Sequence, residues 1–420
     1  MIRTLDARSL GVERVASALA RPPARVAPEI QRAVEGIVDA VRERGDAELL
    51  ELTARFDGFS APAAAALAIP RGEFEAAERA LSPAARAALV YAAERIERYH
   101  AAALPKSWRV TDEHGSVLGQ EVRPIERVGI YVPGGRAAYP STVLMTAVPA
   151  RVAGVPEIVL ATPPGPEGRV NETVLAAARI AGVTEGYRIG GAQAIAALAY
   201  GTATIRRVDK IVGPGNIYVA LAKSRVFGEV GIDMVAGPSE VVVVADGGAD
   251  PEEVAADLLA QAEHDPMARA VLITDASDLL PRIGVALERQ LARLPRRAIA
   301  AEALAANGAL VVVASLDQAV ELANRLAPEH LELLVRVPQG QTPEVVGDYV
   351  AGPSHVLPTA GTARFSSPLG AEDFVKRSSI IEYSRAGLAA ALPHLRTLTD
   401  IEGLGGHRAA AEVRAKGDTA

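Results

Sequence analysis

Residues 127–162 read RVGIYVPGGRAAYPSTVLMTAVPARVAGVPEIVLAT. A short β-branched run leads into a glycine loop, a stretch of helical length and a second β-branched run. The connection is too long for a hairpin, so the two runs predict parallel strands joined by a right-handed crossover helix. The same grammar continues through GYRIGG (186–191) and DKIVG (209–213), with helices expected near 142–153, 171–182, 192–200 and 216–226. A second series follows: EVVVVAD (240–246), a long helix from Pro251, AVLITD (270–275), a helix near 278–293, ALVVVAS (309–315) and a helix near 316–327. Two α/β units result, each built on a parallel sheet.

Outside these series the chain reads as helical. Residues 28–57 place apolar positions at helical spacing with charges between them, which predicts two helices broken at Gly45-Asp46. Another helix is expected over 81–103, opened by Ser82-Pro83, and the polar segment after about 383 is expected to be helical too. The string VAGPS occurs twice, at 235–239 and 350–354, and is taken as two similar turns rather than a domain repeat.

The 420 residues exceed what one simple core needs. A net charge of −7 and a pI near 5.7 leave no basic surface for a nucleic acid backbone, which points to small molecules as partners. With no cysteine, disulfides, thiolate metal sites, iron–sulfur clusters and cysteine nucleophiles are excluded, and any metal must use His, Asp, Glu or neutral oxygen donors. MIRTLDARSLGVERV has no apolar signal region, and the longest uncharged run, Ile189 to Ile205, is 17 residues interrupted by glycines. A cytoplasmic protein with no membrane partner is the expectation.

Three loops carry glycines after expected strands: YVPGGRAAYPS (131–141), GGAQ (190–193) and GPGN (213–216). In a parallel sheet such turns share the carboxyl edge, where backbone and helix N-termini can approach a ligand. None is a GxGxxG fingerprint. Each taken alone is better explained as a tight turn, but three on one edge favour a ligand crevice.

Among 7 histidines, three settings stand out. AQAEHDP (260–266) puts Gln261 and His264 three apart on one helix face, where His264 either complements the negative helix end or ligates a metal; local sequence favours the former. LAPEHLELL (326–334) sets Glu329 beside His330, read as a helix start from which both face one cleft and divide proton transfers, or as an N-terminal acid with an incidental histidine. DIEGLGGHRAA (400–410) brackets Glu402 and His407 with glycines in a polar tail suited to reaching into a site.

Eight ordered stretches together resemble the histidinol dehydrogenase family over nearly the whole chain: VGIYVPGG, GGAQAIAALAYGT, VDKIVGPGNIYVALAK, GIDMVAGPSE, LLAQAEHDP, LAPEHLEL, GPSHVLPTAGTARFSSPLGAEDFVKRSS and EGLGGH. The resemblance implies NAD-dependent four-electron oxidation of L-histidinol to L-histidine through a bound aldehyde, the last step of histidine biosynthesis. It implies one zinc per subunit held by Gln261, His264, Asp373 and His407, these donors also contacting substrate, with zinc acting mainly as a template. His330 would be the general base and Glu329 the activator of water, both touching substrate, with Ser239 and Glu402 as further substrate contacts. Tyr131, Gln193 and Asn216 would contact NAD.

The implied fold is α/β: two incomplete Rossmann-like domains with parallel sheets, plus small helical N- and C-terminal extensions. The expected division is an extension over 1–26, a larger domain from 27–128 with 240–382 carrying zinc and catalytic residues, a cofactor domain over 129–239, and a tail over 383–420. That tail would reach the partner's site, giving a homodimer with shared active sites. A zinc-dependent hydrolase of a small amide or ester is the alternative enzyme, for which the loops at Tyr131, Gln193 and Asn216 would be superfluous. A non-enzymatic α/β ligand binder is a third reading, against which the Glu329–His330 pair argues.

Overall fold

The computed structural model describes residues 2–20, 27–134, 138–165, 167–235, 237–336 and 342–415. Parts of the expected N-terminal extension, C-terminal tail and first glycine loop, and Ala236 of the VAGPS echo, therefore lie outside the described residues. The chain begins with β1 (Arg3–Asp6), α1 (Ala7–Leu10), α2 (Val12–Leu19), α3 (Pro28–Arg44), α4 (Asp46–Leu52), α5 (Arg71–Ala80), α6 (Pro83–Ala103), β2 (Trp108–Thr111) and β3 (Val117–Pro124). It continues through β4 (Arg127–Tyr131), α7 (Pro140–Val152), β5 (Glu157–Thr162), α8 (Glu172–Ala181), β6 (Glu185–Arg188), α9 (Gly191–Tyr200), β7 (Lys210–Val212), α10 (Ile217–Val226) and β8 (Gly231–Ile232). The second series is β9 (Glu240–Ala245), α11 (Pro251–Ala262), β10 (Arg269–Thr274), α12 (Leu279–Leu291), α13 (Arg297–Asn307), β11 (Ala309–Val312), α14 (Leu316–Leu326), β12 (His330–Leu334) and α15 (Glu344–Tyr349). β13 (Val375–Glu382), α16 (Arg385–Glu402) and α17 (Gly405–Ala415) follow.

The α/β fold with parallel sheets is present. One five-stranded sheet runs β6-β5-β4-β7-β8 and the other β1-β11-β10-β9-β12, every pairing parallel. In the first sheet the chain steps outward from β4 to β6 and then returns to β7 on the other side. The carboxyl ends of β4 and β7 thus flank a topological switch point, the usual place for a ligand crevice. Helices α3 and α4, from the 27–128 range, pack on this sheet: Val34, Val38, Val41, Leu49 and Leu52 share a core with Tyr131, Val159, Ile189, Leu198 and Val219. Their break falls at Gly45, whose φ of +54° a side chain would strain.

In the second sheet the pleat sorts the residues. Val241, Val243, Leu272 and Leu310 face α11, α12 and α13, whereas Val242, Val244, Val271, Ile273 and Val311 face α2 and α14. β1, from the segment read as a helical extension, is the edge strand here, paired with β11. β12 closes the opposite edge with His330 opposite Val241 and Glu332 opposite Val243. A helix start was expected at this point. The chain instead turns extended because α14 ends at Ala327 in the left-handed region (φ +46°), Pro328 cannot resume a helix, and HLELL alternates with period two.

A second compact unit comprises Leu104–Ile125 and Val375–Ala420. It holds an antiparallel sheet, β13-β3-β2, and the helices α16 and α17. The helices match expectation and the sheet was not anticipated. All four residues of β2 and six of eight in β13 are exposed, so no apolar alternation announces them. Among the described residues no helix is long and apolar enough to cross a membrane.

Past α4 the backbone widens into a π-helical turn over Thr53–Asp57, which brings Asp57 to the N-terminus of α9. There its carboxylate accepts from the Gly190 N–H (3.2 Å) and from Gln193 Nε2 (3.3 Å). Burial nevertheless pushes this carboxyl up to about 6 from 3.8. The folded state therefore disfavours the ionised form: the cost is absent below about pH 3, builds as pH rises from about 4 to 6, and levels off above 6 at about 3 kcal/mol at most. Asp57→Asn keeps an acceptor for Gly190 and has no charge to bury. Its unfolding free energy should gain on the natural protein by that order between pH 4 and 7 in urea titrations; a pH-independent difference would show that Asp57 ionises freely.

Candidate active site

Tyr131, Gln193 and Asn216 all line one cavity of about 1230 Å³ at the carboxyl edge of the β4 sheet, with Asp57, Pro133 and Gly134 among its walls. Tyr131 ends β4; its hydroxyl accepts from the Gly191 N–H at 3.0 Å, and burial pushes its pKa up to about 12. Gln193 is buried within the first turn of α9. Asn216 caps α10, its Oδ1 accepting from the N–H groups of Tyr218 (3.0 Å) and Val219 (3.2 Å). Helix starts on this edge were expected to offer free amides. Those of Gly190, Gly191, Tyr218 and Val219 are instead engaged by Asp57, Tyr131 and Asn216.

A second cluster forms at the amino edge of the other sheet. Gln261 lies in the last turn of α11 and His264 just beyond it, and the register of β12 turns His330 and Glu332 toward the sheet face that α11 covers. His330 Nε2 lies 3.9 Å from Glu329 Oε1 and 3.7 Å from Glu344 Oε1. Glu329 accepts from the Glu240 N–H at 2.9 Å and from the Ser239 hydroxyl. That places the expected Ser239 against the Glu329–His330 pair.

Sequence reasoning missed much of this cluster. His264, Glu344 and Asp348 bring their ligating atoms within 4.8 Å of one another. The His355 ring reaches the Asp348 carbonyl through Nδ1 (3.0 Å) and Thr142 Oγ1 through Nε2 (3.3 Å). The signal was Glu344 and Asp348 four apart, the spacing that puts two carboxylates on one face of a helical turn. Burial pushes Glu344 up to about 9, with Asp348 and Glu332 adding to it, and Glu329 up to about 8. Glu332 rises to about 8 by burial and by its neighbour Asp257. Burial lowers His330, opposed by Asp348.

The amide of Gln261, fully buried at 0% exposure, has no hydrogen-bond partner among the described residues at either Oε1 or Nε2. A buried amide so placed costs about 1–3 kcal/mol per unmet group. His264, Glu344 and Asp348, with Glu344 pushed toward its protonated form, are chemically fit to hold a cation, and Gln261, three residues before His264, could add a neutral amide donor.

Asp373, the fourth protein donor implied by resemblance together with His407, does not join the group around His264. Its carboxylate accepts from the Gly370 N–H (2.9 Å) and pairs with Lys210 Nζ (3.3 Å), which also donates to its carbonyl at 2.6 Å. Those contacts tie the turn at 371–374 to the start of β7. Glu402 ends α16 and His407 lies in α17, both exposed on the second compact unit.

The family model described as histidinol dehydrogenase matches residues 20–415. The chain is 51% identical over 400 residues to the histidinol dehydrogenase of Pseudomonas syringae pv. tomato, covering 92% of this chain and 89% of that protein. It is 49% identical over 430 residues to that of Geobacter sulfurreducens, covering 99% and 100%. The crystal structure of the Elizabethkingia anophelis histidinol dehydrogenase superposes with a TM-score of 0.92 at 34% identity, covering 99% of this chain and 98% of that one. Matched along nearly its whole length in sequence and in fold, the chain belongs to the histidinol dehydrogenase family.

Proposed function

We propose that the protein oxidises L-histidinol to L-histidine in two successive NAD-dependent steps through a bound aldehyde, with one zinc per subunit. The observation that carries this reading is the placement of His330 and Glu329 beside His264, Glu344, Asp348 and the unpartnered Gln261 amide. The balance is one alcohol, one water and two NAD giving a carboxylate, two NADH and three protons.

His330 starts neutral because burial lowers its pKa, so it can take the hydroxyl proton as hydride leaves the carbinol carbon. Glu329, raised by burial, is a stronger base than a free glutamate and takes a proton from the water that adds to the aldehyde. Ser239 and Glu240 hold Glu329 in place while it does so. The cavity lined by Tyr131, Gln193 and Asn216 takes the dinucleotide, whose fit rests on shape because the nearby helix-start amides are engaged. A zinc ion held by Gln261, His264 and Asp348, with Glu344 alongside, would supply a Lewis-acid template that holds the substrate's amino and imidazole nitrogens. Asp348 takes the place first given to Asp373. His407 and Glu402 complete the site from the partner subunit in the homodimer that this reading implies. The hydrolase alternative leaves the large cavity without a task.

Zinc-loaded protein given L-histidinol and excess NAD should form two NADH per histidinol. One NADH, or none, would sink the four-electron reading. His330→Ala should lower kcat by about 10²–10⁴-fold with bound metal unchanged.

Metal analysis should show His264→Ala and Asp348→Ala losing zinc while Asp373→Ala retains it. Retention in the first two, or loss only in the third, would return the ligand role to Asp373. Mixing inactive His330→Ala and His407→Ala proteins under subunit exchange should restore part of the activity; no recovery after proven exchange would mean that each chain completes its own site.

A further inference from the structure

The loop joining β7 to α10 carries Asn216 into the cofactor cavity, yet the strand ladder beneath it is short. β7 pairs with β8 only through Lys210–Gly231 and Ile211–Ile232, so the regular hydrogen bonding stops before Gly213. A buried ion pair takes over there. Lys223 of α10 and Asp233, the residue after β8, are in contact with side chains 3% and 1% exposed. Lys223 Nζ donates to the Gly213 carbonyl at 3.0 Å, and the Gly213 N–H donates to Asp233 Oδ2 at 2.7 Å. Asp233 Oδ1 accepts from the Met234 N–H at 2.6 Å.

Both backbone groups of one residue are thus gripped by opposite charges. That residue has a φ of +113°, and a Cβ on it would lie 2.2 Å from the Tyr131 carbonyl oxygen, so the loop is pressed against the backbone of one cavity residue while it delivers another. Burying a lysine and an aspartate is costly, and an apolar pair would fill the same space. What an apolar pair could not do is hold the Gly213 peptide groups. We propose that Lys223 and Asp233 are positioning residues for the cofactor: without touching it, they fix Gly213–Asn216 against Tyr131 and so set the affinity for the dinucleotide. The role in binding rests on the NAD reading above; the grip on the loop does not.

Removing one charge would strand the other, so the test uses Lys223→Met/Asp233→Asn beside Lys223→Met, with Lys223→Arg as the conservative variant. Hydrogen exchange on full-length, cofactor-free protein should show faster exchange across 213–219 in the double variant, with β9 and β10 still protected. Titration with NADH should show affinity weakened by about tenfold, and KM for NAD raised likewise, while kcat and the KM for histidinol change little. Lys223→Arg should retain most of the affinity. Unchanged exchange over 213–219, or loss of protection throughout both sheets with all ligands affected alike, would overturn the proposal. Natural protein that binds no NADH would sink the cofactor reading instead and leave the exchange result to decide the grip on the loop.

Discussion

Glu329, Glu332 and Glu344 are buried together, and the charges that shift them most belong to other carboxylates, not to a lysine or arginine. This is the constraint on which the site depends. Carboxylates taken out of water without a countercharge must keep protons, pair with one another or gather around a cation. Other deeply buried charges stand in matched pairs, as with Arg269 against Glu240 and Lys223 against Asp233. Apart from Asp57 at the start of α9, the unmatched acids among the described residues gather on the side of the sheet where α11 ends, with Gln261 and the solvent-open His264. The exception to the molecule's own habit marks the chemistry.

The two parallel sheets use opposite edges. The large cavity lies where the usual rule places a ligand, at the carboxyl ends of β4 and β7 where strand order reverses. The acid and histidine cluster sits at the amino ends of β9 and β12 because α11 runs antiparallel to the strands it covers and ends there. Gln261 and His264 arrive with that helix end, and His330 with the first residue of β12. A site at an amino edge is poor in free helix N-termini, which suits metal and proton chemistry better than phosphate binding.

Most of the parallel architecture could be read from the sequence because its strands and helices carry clean apolar periodicity. The antiparallel sheet could not: its strands are largely solvated on both faces, and period-two signals arise only when one face is buried. β12 was legible and misread. HLELL has the alternation of a strand, but the preceding Ala-Pro-Glu looks like a helix opening, and only the left-handed turn at Ala327 shows why it is not. The site divides the same way. Tyr131, Gln193 and Asn216 stand on loops whose glycines announce them, and His264 and His330 are conspicuous by type. Asp348, which the structure brings to His264 and Glu344, lies in a short helix among common residues, whereas Asp373 sits in a long motif-like stretch that draws attention by its pattern.

The engaged amides around the cavity carry a consequence for how a dinucleotide would be held there. A Rossmann glycine loop leaves helix N–H groups unpaired until phosphate arrives, so binding gains several charge-assisted hydrogen bonds. Here a carboxylate and a hydroxyl already occupy the start of α9, and an asparagine the start of α10. The Asp57 carboxyl, in addition, sits where an anion would otherwise lie. A diphosphate seated against either helix would have to displace these groups or pass them by. Affinity must then come from contact with the walls and from the rigidity of the loops that form them, which makes the Lys223–Asp233 clasp on Gly213 matter more here than it would in a fold whose amides do the binding.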